Sequence, residues 1–266
     1  RVPKAEPAWW YGPPDSLPAR LLQPAARLWG HTAARRMAQD SPYAPSLPVV
    51  CVGNFTAGGT GKTPLSILIA TMLTARGERP AFLTRGYGGR ISRPHVVNPG
   101  LDTAADVGDE PLLLARHGPV IVARNRRAGA QAIEAMSGIS PPTVIVMDDG
   151  LQNPALAKSL TIAVVDGRRG LGNGRVIPAG PLRAPIDLQL ALAGAIVVNR
   201  PRGVPDDEQH VVKSLRRTFA GPVLEATVEP AYTGPTLKGA RVLALAGIAN
   251  PARFTDLLAE MGAELV

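Results

Sequence analysis

The sequence predicts a doubly wound α/β fold, in which a mainly parallel sheet is covered by helices on both faces. Short, continuously apolar segments recur along the chain, helix-like segments separate several of them, and a glycine-rich segment follows the first. Strands buried on both faces are continuously apolar, whereas half-exposed strands alternate. The 266 residues, 45% of them hydrophobic and 19% charged, suffice for one large or two modest globular domains.

Residues 1–46 are predicted to form a separate amphipathic helical segment. Within residues 17–36, apolar side chains share one helical face and arginines lie on or near the other. The apolar set is Leu21, Leu22, Ala25, Leu28 and Trp29, and the arginines are Arg20, Arg27 and Arg35. Pro24 is expected to bend the helix. The helix either packs on the domain with its arginines in solvent, or lies in an anionic membrane surface with the aromatic rings of residues 9–11 at the headgroups.

Residues 47–220 are predicted to form the main domain, and residues 221–266 the start of a smaller C-terminal lobe. The predicted strands are residues 47–52, 80–84, 119–123, 143–147, 160–165, 194–199 and 241–247. The clearest predicted helices are residues 62–76 and 124–136. The last residues read as a helix and the start of another strand, so we expect the lobe to be cut short.

Charge and cysteine content narrow the classes of partner. The 29 Lys and Arg residues outnumber the 21 Asp and Glu residues, and the net charge of +8 favours nucleotides, nucleic acid or an anionic membrane surface. Cys51 is the only cysteine, which excludes a disulfide framework. No apolar stretch approaches the roughly 18 residues that a membrane span needs, so the chain is not expected to cross a bilayer.

The glycine-rich segment is "GNFTAGGTGKTP", residues 53–64, between a predicted strand and a predicted helix. Glycine adopts backbone conformations closed to other residues, so several amide groups can converge there on one phosphate. The amides expected to cradle phosphate oxygens are those of Gly59, Thr60 and Gly61. The segment therefore predicts a P-loop NTPase-like nucleotide site.

Two side chains of this segment carry specific expectations. Lys62 would reach the terminal phosphates and the Thr63 hydroxyl would bind Mg²⁺. The general phosphate-loop pattern has glycine where this chain has Thr56, so only the core "GGTGKT" matches. The alternative is a glycine-rich turn with a surface lysine.

Two pairs of acidic residues are candidates for magnesium binding and proton transfer. Asp148 and Asp149 end an apolar strand, where they either hold Mg²⁺ or are merely solvated. Asp109 and Glu110 precede a helix, where they either complement its dipole or serve the nucleophile's proton and the metal. Three arginines are further candidates for phosphate or for ordinary surface positions. These are Arg85, Arg124 and Arg183.

Several motifs, in order, resemble those of the tetraacyldisaccharide 4'-kinases, the lipid A 4'-kinases of Gram-negative bacteria. They are "VGNFTAGGTGKTP", "LTRGYGG", "VGDEPLLLA", "DDGLQN", "VVDGRRGLGNGRVIPAGPLRAP" and "AGIANPARF", and they extend from about residue 50 to the end. The threonine at position 56 is similar to this family's own form of the loop.

The resemblance implies an enzyme that transfers the ATP γ-phosphate to the 4'-hydroxyl of a tetraacyldisaccharide 1-phosphate, using Mg²⁺, at the cytoplasmic face of the inner membrane. It implies a catalytic set of Asp109 as general base, Lys62 and Arg183. It implies cofactor binding by Thr56, Gly58, Gly59, Thr60, Gly61, Lys62 and Thr63, and metal binding by Thr63, Glu110, Asp148 and Asp149. An acylated substrate also favours membrane contact by the N-terminal helix.

This chain departs from the family pattern at two places. After the acidic pair the family usually has phenylalanine and then histidine, whereas this chain has Leu151 and Asn153. Asparagine forms hydrogen bonds but does not titrate. The family also carries a C-terminal motif with a histidine that assists the base, and this chain ends at Val266 before that motif.

Other functional classes remain as alternatives. One alternative is a P-loop NTPase that acts as a switch or membrane-recruited regulatory protein without kinase activity. A GTPase switch would need the guanine-reading motif Asn-Lys-x-Asp, whereas residues 197–202 read "VVNRPR". A dehydrogenase would need Gly-x-Gly-x-x-Gly after its first strand, which is absent. Aromatic residues make up 4% of the chain and are not interleaved with its charges, which argues against nucleic acid. No protein partner is predicted.

Overall fold

The computed structural model describes residues 6–38, 41–200, 210–229, 232, 234–245 and 251–266. The strands are β1 (Val49–Asn54), β2 (Pro80–Thr84), β3 (His95–Val96), β4 (Val120–Val122), β5 (Val144–Asp148), β6 (Leu160–Asp166), β7 (Ala195–Arg200), β8 (Val223–Thr227), β9 (Arg241–Val242) and β10 (Glu264–Leu265). The helices are α1 (Leu17–Leu21), α2 (Gln23–Met37), α3 (Lys62–Thr74), α4 (Ala104–Val107), α5 (Asp109–Leu114), α6 (Arg126–Glu134), α7 (Ile186–Leu192), α8 (His210–Thr218) and α9 (Pro251–Glu260), with a 3₁₀ turn at Ala8–Tyr11.

Within these residues, eight strands form one sheet in the order β3-β4-β2-β5-β1-β6-β7-β8. Every neighbouring pair is parallel except β3 and β4. The carboxyl ends of β1, β2, β4, β5 and β7 therefore lie at the same edge of the sheet, which is where doubly wound folds bind ligands. The predicted fold class is confirmed.

The central strands are continuously apolar because both of their faces are covered. On β2, Ala81 and Leu83 pack in one core cluster with Ile133 of α6, whereas Phe82 packs in another with Ala70 of α3. All five residues of β5 are buried. Burial of this kind is the main favourable contribution to folding, and it fixes the edge at which polar residues can collect.

The sheet extends beyond the predicted domain boundary at residue 220. Strand β8 pairs in parallel with β7, from Ile196 opposite Val223 to Arg200 opposite Thr227. The short parallel pair β9 and β10 forms a separate sheet, and it includes the strand start predicted at the end of the chain. Residues 246–250, which include the end of the predicted strand 241–247, lie outside the described residues.

The N-terminal segment is two helices rather than one, because the chain bends at Leu22 just before Pro24. The residues that face the protein are small, namely Ala19, Ala26 and Gly30. The large apolar side chains face outward: Leu21 and Leu28 are each 71% exposed and Trp29 is 48% exposed. Among the described helices, none has the length and apolar character to cross a membrane.

A pair of glycines tests this packing. A Cβ atom at Gly129 in α6 would lie 2.7 Å from the Cβ of Ala123, whereas one at Gly30 in α2 would lie 3.7 Å from its nearest neighbour, in Pro185. Alanine favours a helix by roughly 1 kcal/mol over glycine. We expect Gly30→Ala to raise the free energy of unfolding by up to about 1 kcal/mol and Gly129→Ala to lower it by about 1–3 kcal/mol, measured by urea unfolding. Changes of the same sign would contradict this arrangement of the helices.

Candidate active site

The segment between β1 and α3 has the backbone conformation expected of a phosphate-binding loop. Gly58 and Gly61 have φ angles of 106° and 96°, in the left-handed region, and α3 begins directly after Gly61. The free amide groups at the start of the helix can then point at an anion. A Cβ atom at Gly61 would lie 2.4 Å from the Nδ2 atom of Asn199, so this position needs glycine for space as well as for φ.

Thr56 occupies the position at which the general phosphate-loop motif has its first glycine. Its backbone forms an antiparallel bridge with Leu182, and the next amide, that of Ala57, donates to the carbonyl of Pro181 at 2.8 Å. Thr56 does not have a positive φ, so this position does not need glycine. The threonine that broke the general pattern is therefore explained by a bridge to the segment that carries Arg183.

Lys62, Asp149 and Arg183 meet beside this loop. Nη1 of Arg183 lies 2.9 and 3.2 Å from the two carboxylate oxygens of Asp149, and its Nε donates to the carbonyl of Thr56 at 3.1 Å. Nζ of Lys62 lies 3.9 Å from Oδ1 of Asp149. Asp149 has a φ of 52°, which aspartate tolerates better than most residues. The site thus holds two cations next to the place for a phosphate.

The two adjacent aspartates differ in their electrostatics. Burial raises the pKa of Asp148 to about 6, with a further contribution from Glu110, against the hydrogen bond from Ser66 Oγ to Oδ1 at 2.8 Å. Its Oδ2 is buried and has no hydrogen-bond partner in the described part of the chain. Burial also acts on Asp149, but Arg183 and Lys62 outweigh it and lower its pKa. Asp149 is thus paired with Arg183 and Lys62, whereas Asp148 has one oxygen without a hydrogen-bond partner.

Asp109 and Glu110 form the first turn of α5, and both are exposed. The preceding Gly108 has a φ of 93°, and a Cβ atom there would lie 2.4 Å from the carbonyl oxygen of Tyr87. Partial desolvation raises the pKa of Glu110. The charge of Lys62 lowers this pKa and the charge of Asp149 raises it. Glu110 therefore shares the electrostatic field of the phosphate site.

Arg85 and Arg124 follow β2 and β4 at the same edge of the sheet, and both are exposed. The Nη2 atom of Arg124 lies 3.4 Å from the carbonyl oxygen of Gly89. Of the three arginines predicted from the sequence, Arg183 is the one that contacts Asp149.

Polar residues that the sequence analysis missed hold the loop in place. The side chain of Gln189 is fully buried. Its Nε2 donates to the carbonyls of Phe55 and Ala184, and its Oε1 accepts from the side chain of Gln152. Gln152 also donates to the carbonyl of Asn54 at 2.7 Å. Gln152 lies in the quoted motif "DDGLQN", whereas Gln189 lies in an ordinary helix and carries no sequence signal.

Asn199, at the end of β7, is buried and contacts the same loop. Its Nδ2 donates to the carbonyl of Thr60 at 3.0 Å. The signal in the sequence is a polar residue near the end of an otherwise apolar strand.

The oxygen atoms at the site suit Mg²⁺. Magnesium in nucleotide enzymes takes one or two carboxylates, with phosphate oxygens and waters completing its shell. The buried, unpartnered Oδ2 of Asp148 and the Thr63 hydroxyl provide such donors. Among the described residues, no three His, Cys, Asp or Glu side chains converge, so Glu110, Asp148 and Asp149 do not form a complete metal cluster by themselves.

Comparison with known proteins decides the family. Residues 18–266 match the family model of tetraacyldisaccharide-1-P 4'-kinases. The chain belongs to this family. It is 50% identical over 262 residues to the tetraacyldisaccharide 4'-kinase of Methylorubrum extorquens strain PA1, covering 98% of this chain and 76% of that protein. It is 47% identical over 263 residues to the enzyme of the same name from Rhodopseudomonas palustris strain CGA009, covering 98% and 74%.

A solved member of the family has the same fold. The crystal structure of LpxK from Aquifex aeolicus in complex with ATP superposes with a TM-score of 0.72 and 23% identity, covering 93% of this chain and 79% of that one. The predicted family, fold class and kinase activity are confirmed, and the switch-protein alternative is not supported. The roles of individual site residues remain predictions.

The raised pKa of Asp148 predicts that this residue destabilises the free protein. A carboxylate whose folded-state pKa of about 6 exceeds its ordinary 3.8 binds protons more tightly when folded, so stability falls as pH rises between these values. We expect Asp148→Asn to raise the free energy of unfolding near pH 7.5 by an amount of the order of 1–2 kcal/mol, measured by urea unfolding without nucleotide or Mg²⁺. The gain should vanish near pH 4. A variant less stable at pH 7.5 would contradict this account.

Proposed function

We propose that this kinase transfers the γ-phosphate of ATP to the 4'-hydroxyl of a tetraacyldisaccharide 1-phosphate, with Asp109 as the general base. The observation that carries the assignment of residues is the convergence of Lys62 and Arg183 on Asp149 beside the phosphate loop. A direct test is incubation with γ-labelled ATP and the acylated disaccharide 1-phosphate. Label is expected at the 4' position, and its absence would contradict the proposal.

The phosphate donor is held by the loop and two cations. The backbone amides of the loop would cradle the phosphate oxygens. Lys62 moves from Asp149 toward the β- and γ-phosphates, because its 3.9 Å contact is too long to hold it firmly. Arg183 stays on Asp149 and faces the charge that develops on the transferred group, which preorganised donors stabilise most effectively.

Thr63, Asp148 and Glu110 would hold Mg²⁺, with Asp149 completing the surrounding charge. The ion supplies neutralisation of the phosphate charge when it is bound. Ser66 fixes the rotamer of Asp148 through its hydrogen bond, so that Oδ2 is the oxygen that remains available.

Asp109 and Glu110 are both exposed at the start of α5, where an acceptor hydroxyl can reach them, so the choice of Asp109 as the base rests on the surroundings of Glu110. Glu110, next to it, lies in the field of Lys62, Asp149 and Arg183, which suits a metal ligand better. Asp109 would accept the proton of the 4'-hydroxyl as the hydroxyl oxygen attacks the γ-phosphorus, while the bond from that phosphorus to the β,γ-bridging oxygen breaks and ADP leaves.

The N-terminal helices are proposed to lie on the cytoplasmic face of the bacterial inner membrane as a peripheral contact. The outward apolar side chains Leu17, Leu21, Leu28 and Trp29 are accompanied by the exposed Arg20, Arg27, Arg35 and Arg36. An apolar face with flanking cations binds anionic lipid surfaces. The substrate is acylated, so a bound enzyme would meet it where it resides. No protein or nucleic-acid partner is proposed.

The role of Asp109 predicts a selective loss of turnover. Asp109→Asn keeps the size of the side chain but removes the base, so kcat should fall about 10²- to 10⁴-fold while the Kd of Mg·ATP changes less than about twofold. Steady-state kinetics and nucleotide binding measure the two effects.

Lys62→Ala is the matched comparison. It should weaken Mg·ATP binding as well as slow transfer, because it removes a direct phosphate contact. An Asp109→Asn enzyme with kcat within about threefold of the unsubstituted enzyme would end the assignment of the base.

The membrane proposal predicts that two outward leucines govern lipid binding. Each buried leucine contributes about 1.5–3 kcal/mol, so Leu21→Ser with Leu28→Ser should weaken binding to vesicles containing phosphatidylglycerol at least about tenfold. Leu101→Ser, at a leucine that is 80% exposed between β3 and α4, is the control and should leave binding unchanged. Vesicle sedimentation measures both. Equal binding by all variants would remove the membrane role.

A further inference from the structure

Trp29 lies on the outward face of α2 and also contacts the backbone of Arg183. Its ring is on the outward apolar face of α2, 48% exposed, and its indole Nε1 donates to the backbone carbonyl of Arg183 at 3.2 Å. Arg183 is the residue whose guanidinium contacts Asp149. A single side chain therefore joins the proposed membrane face to the phosphate site.

The contact is part of a wider docking surface. The next residue, Gly30, is buried, and a Cβ atom there would lie 3.7 Å from Pro185 and 3.8 Å from Val176. Helix α2 thus rests on the segment that runs up to and past Arg183. A movement of α2 on this surface would change its contacts with Val176 and Pro185 and its hydrogen bond to the carbonyl of Arg183.

The backbone of Arg183 is in turn bonded to the start of the phosphate loop. Its amide donates to the carbonyl of Phe55 at 2.9 Å, and its Nε donates to the carbonyl of Thr56. The peptide groups on either side of this Cα atom therefore have different partners: the amide is tied to the loop and the carbonyl to Trp29. Both hydrogen bonds restrict the backbone of Arg183 and therefore the position of its guanidinium group.

We propose that Trp29 is a positioning residue that couples membrane contact to nucleotide binding, so that Mg·ATP binds more tightly when the enzyme is on an anionic lipid surface. The inference rests on the proposed membrane contact of α1 and α2. It adds that lipid binding improves the site through one hydrogen bond, and it assigns that bond to the indole N–H.

The physical reason lies in the surroundings of the bond. The Trp29–Arg183 hydrogen bond is exposed, so in water both groups exchange it for bonds to solvent at little cost. At a lipid surface the water around the ring is displaced, and an unmade bond then leaves two polar groups without partners. The hydrogen bond is consequently formed in a larger fraction of molecules, and the backbone of Arg183 is held in a smaller range of positions. Linkage requires the reciprocal effect, in which Mg·ATP strengthens lipid binding.

The experiment compares Mg·ATP affinity with and without saturating phosphatidylglycerol vesicles that contain no disaccharide substrate. For the unsubstituted enzyme we expect the vesicles to lower the Kd at least about fivefold, the lower end of typical coupling between sites. Trp29→Phe and Trp29→Leu retain an apolar side chain but lack the donor, and their Kd should change less than about twofold on adding vesicles.

Leu28→Ala is the matched control. It removes neighbouring outward apolar surface but leaves the indole, so more lipid should be needed for saturation while the fivefold response remains. A full vesicle response in Trp29→Phe and Trp29→Leu would overturn the inference, as would no response in an unsubstituted enzyme that sediments with the vesicles.

The readouts separate this inference from the proposals on which it rests. Failure of the unsubstituted enzyme to sediment with vesicles would remove the membrane contact and the coupling together. Absence of label transfer to the disaccharide would instead contradict the proposed reaction, and the binding measurements do not depend on that transfer.

Discussion

The ion pair between Arg183 and Asp149 is the interaction on which the site depends. Asp149 is partly buried at the end of a central strand, where an unpaired carboxylate would be costly, and two cations keep it ionised. The pair joins the end of β5 to a segment 34 residues further along the chain. It also keeps the guanidinium of Arg183 beside the glycine-rich loop, since the same side chain donates to the carbonyl of Thr56.

The sequence predicted the parts of the fold that follow from hydrophobic pattern. Continuous apolar segments became buried parallel strands because both faces of the sheet are covered, and the glycine-rich loop lies at the carboxyl edge because β1 ends there. The acidic pair was predicted from its position after an apolar strand, which is a local signal. The opposite pKa shifts of Asp148 and Asp149 were not predictable, because they depend on the complete burial of Asp148 and on the position of Arg183 and Lys62 beside Asp149, which the tertiary structure sets.

The residues that the sequence did not reveal are neutral and buried. Gln189 looks like any polar residue of an amphipathic helix, and only the tertiary structure brings its amide to three partners from separate segments. Its full burial is tolerated because its donors and its oxygen are bonded. Sequence periodicity also did not determine the direction of the N-terminal apolar face. It shows that a helix has an apolar and a polar face, but not which of them contacts the rest of the protein.

The small residues beneath α1 and α2 have a consequence for the order in which the chain opens. Burying Ala19, Ala26 and Gly30 removes little apolar surface from water, so the hydrophobic effect holds these helices only weakly. Part of the attachment of α2 is polar, through the bonds from Arg175 to the side-chain oxygen of Gln23 and from Trp29 to the carbonyl of Arg183. Amide groups of α1 and α2 should therefore exchange with solvent through local openings that leave β1, β2 and β5 intact. We therefore expect the N-terminal helices to detach before the sheet unfolds.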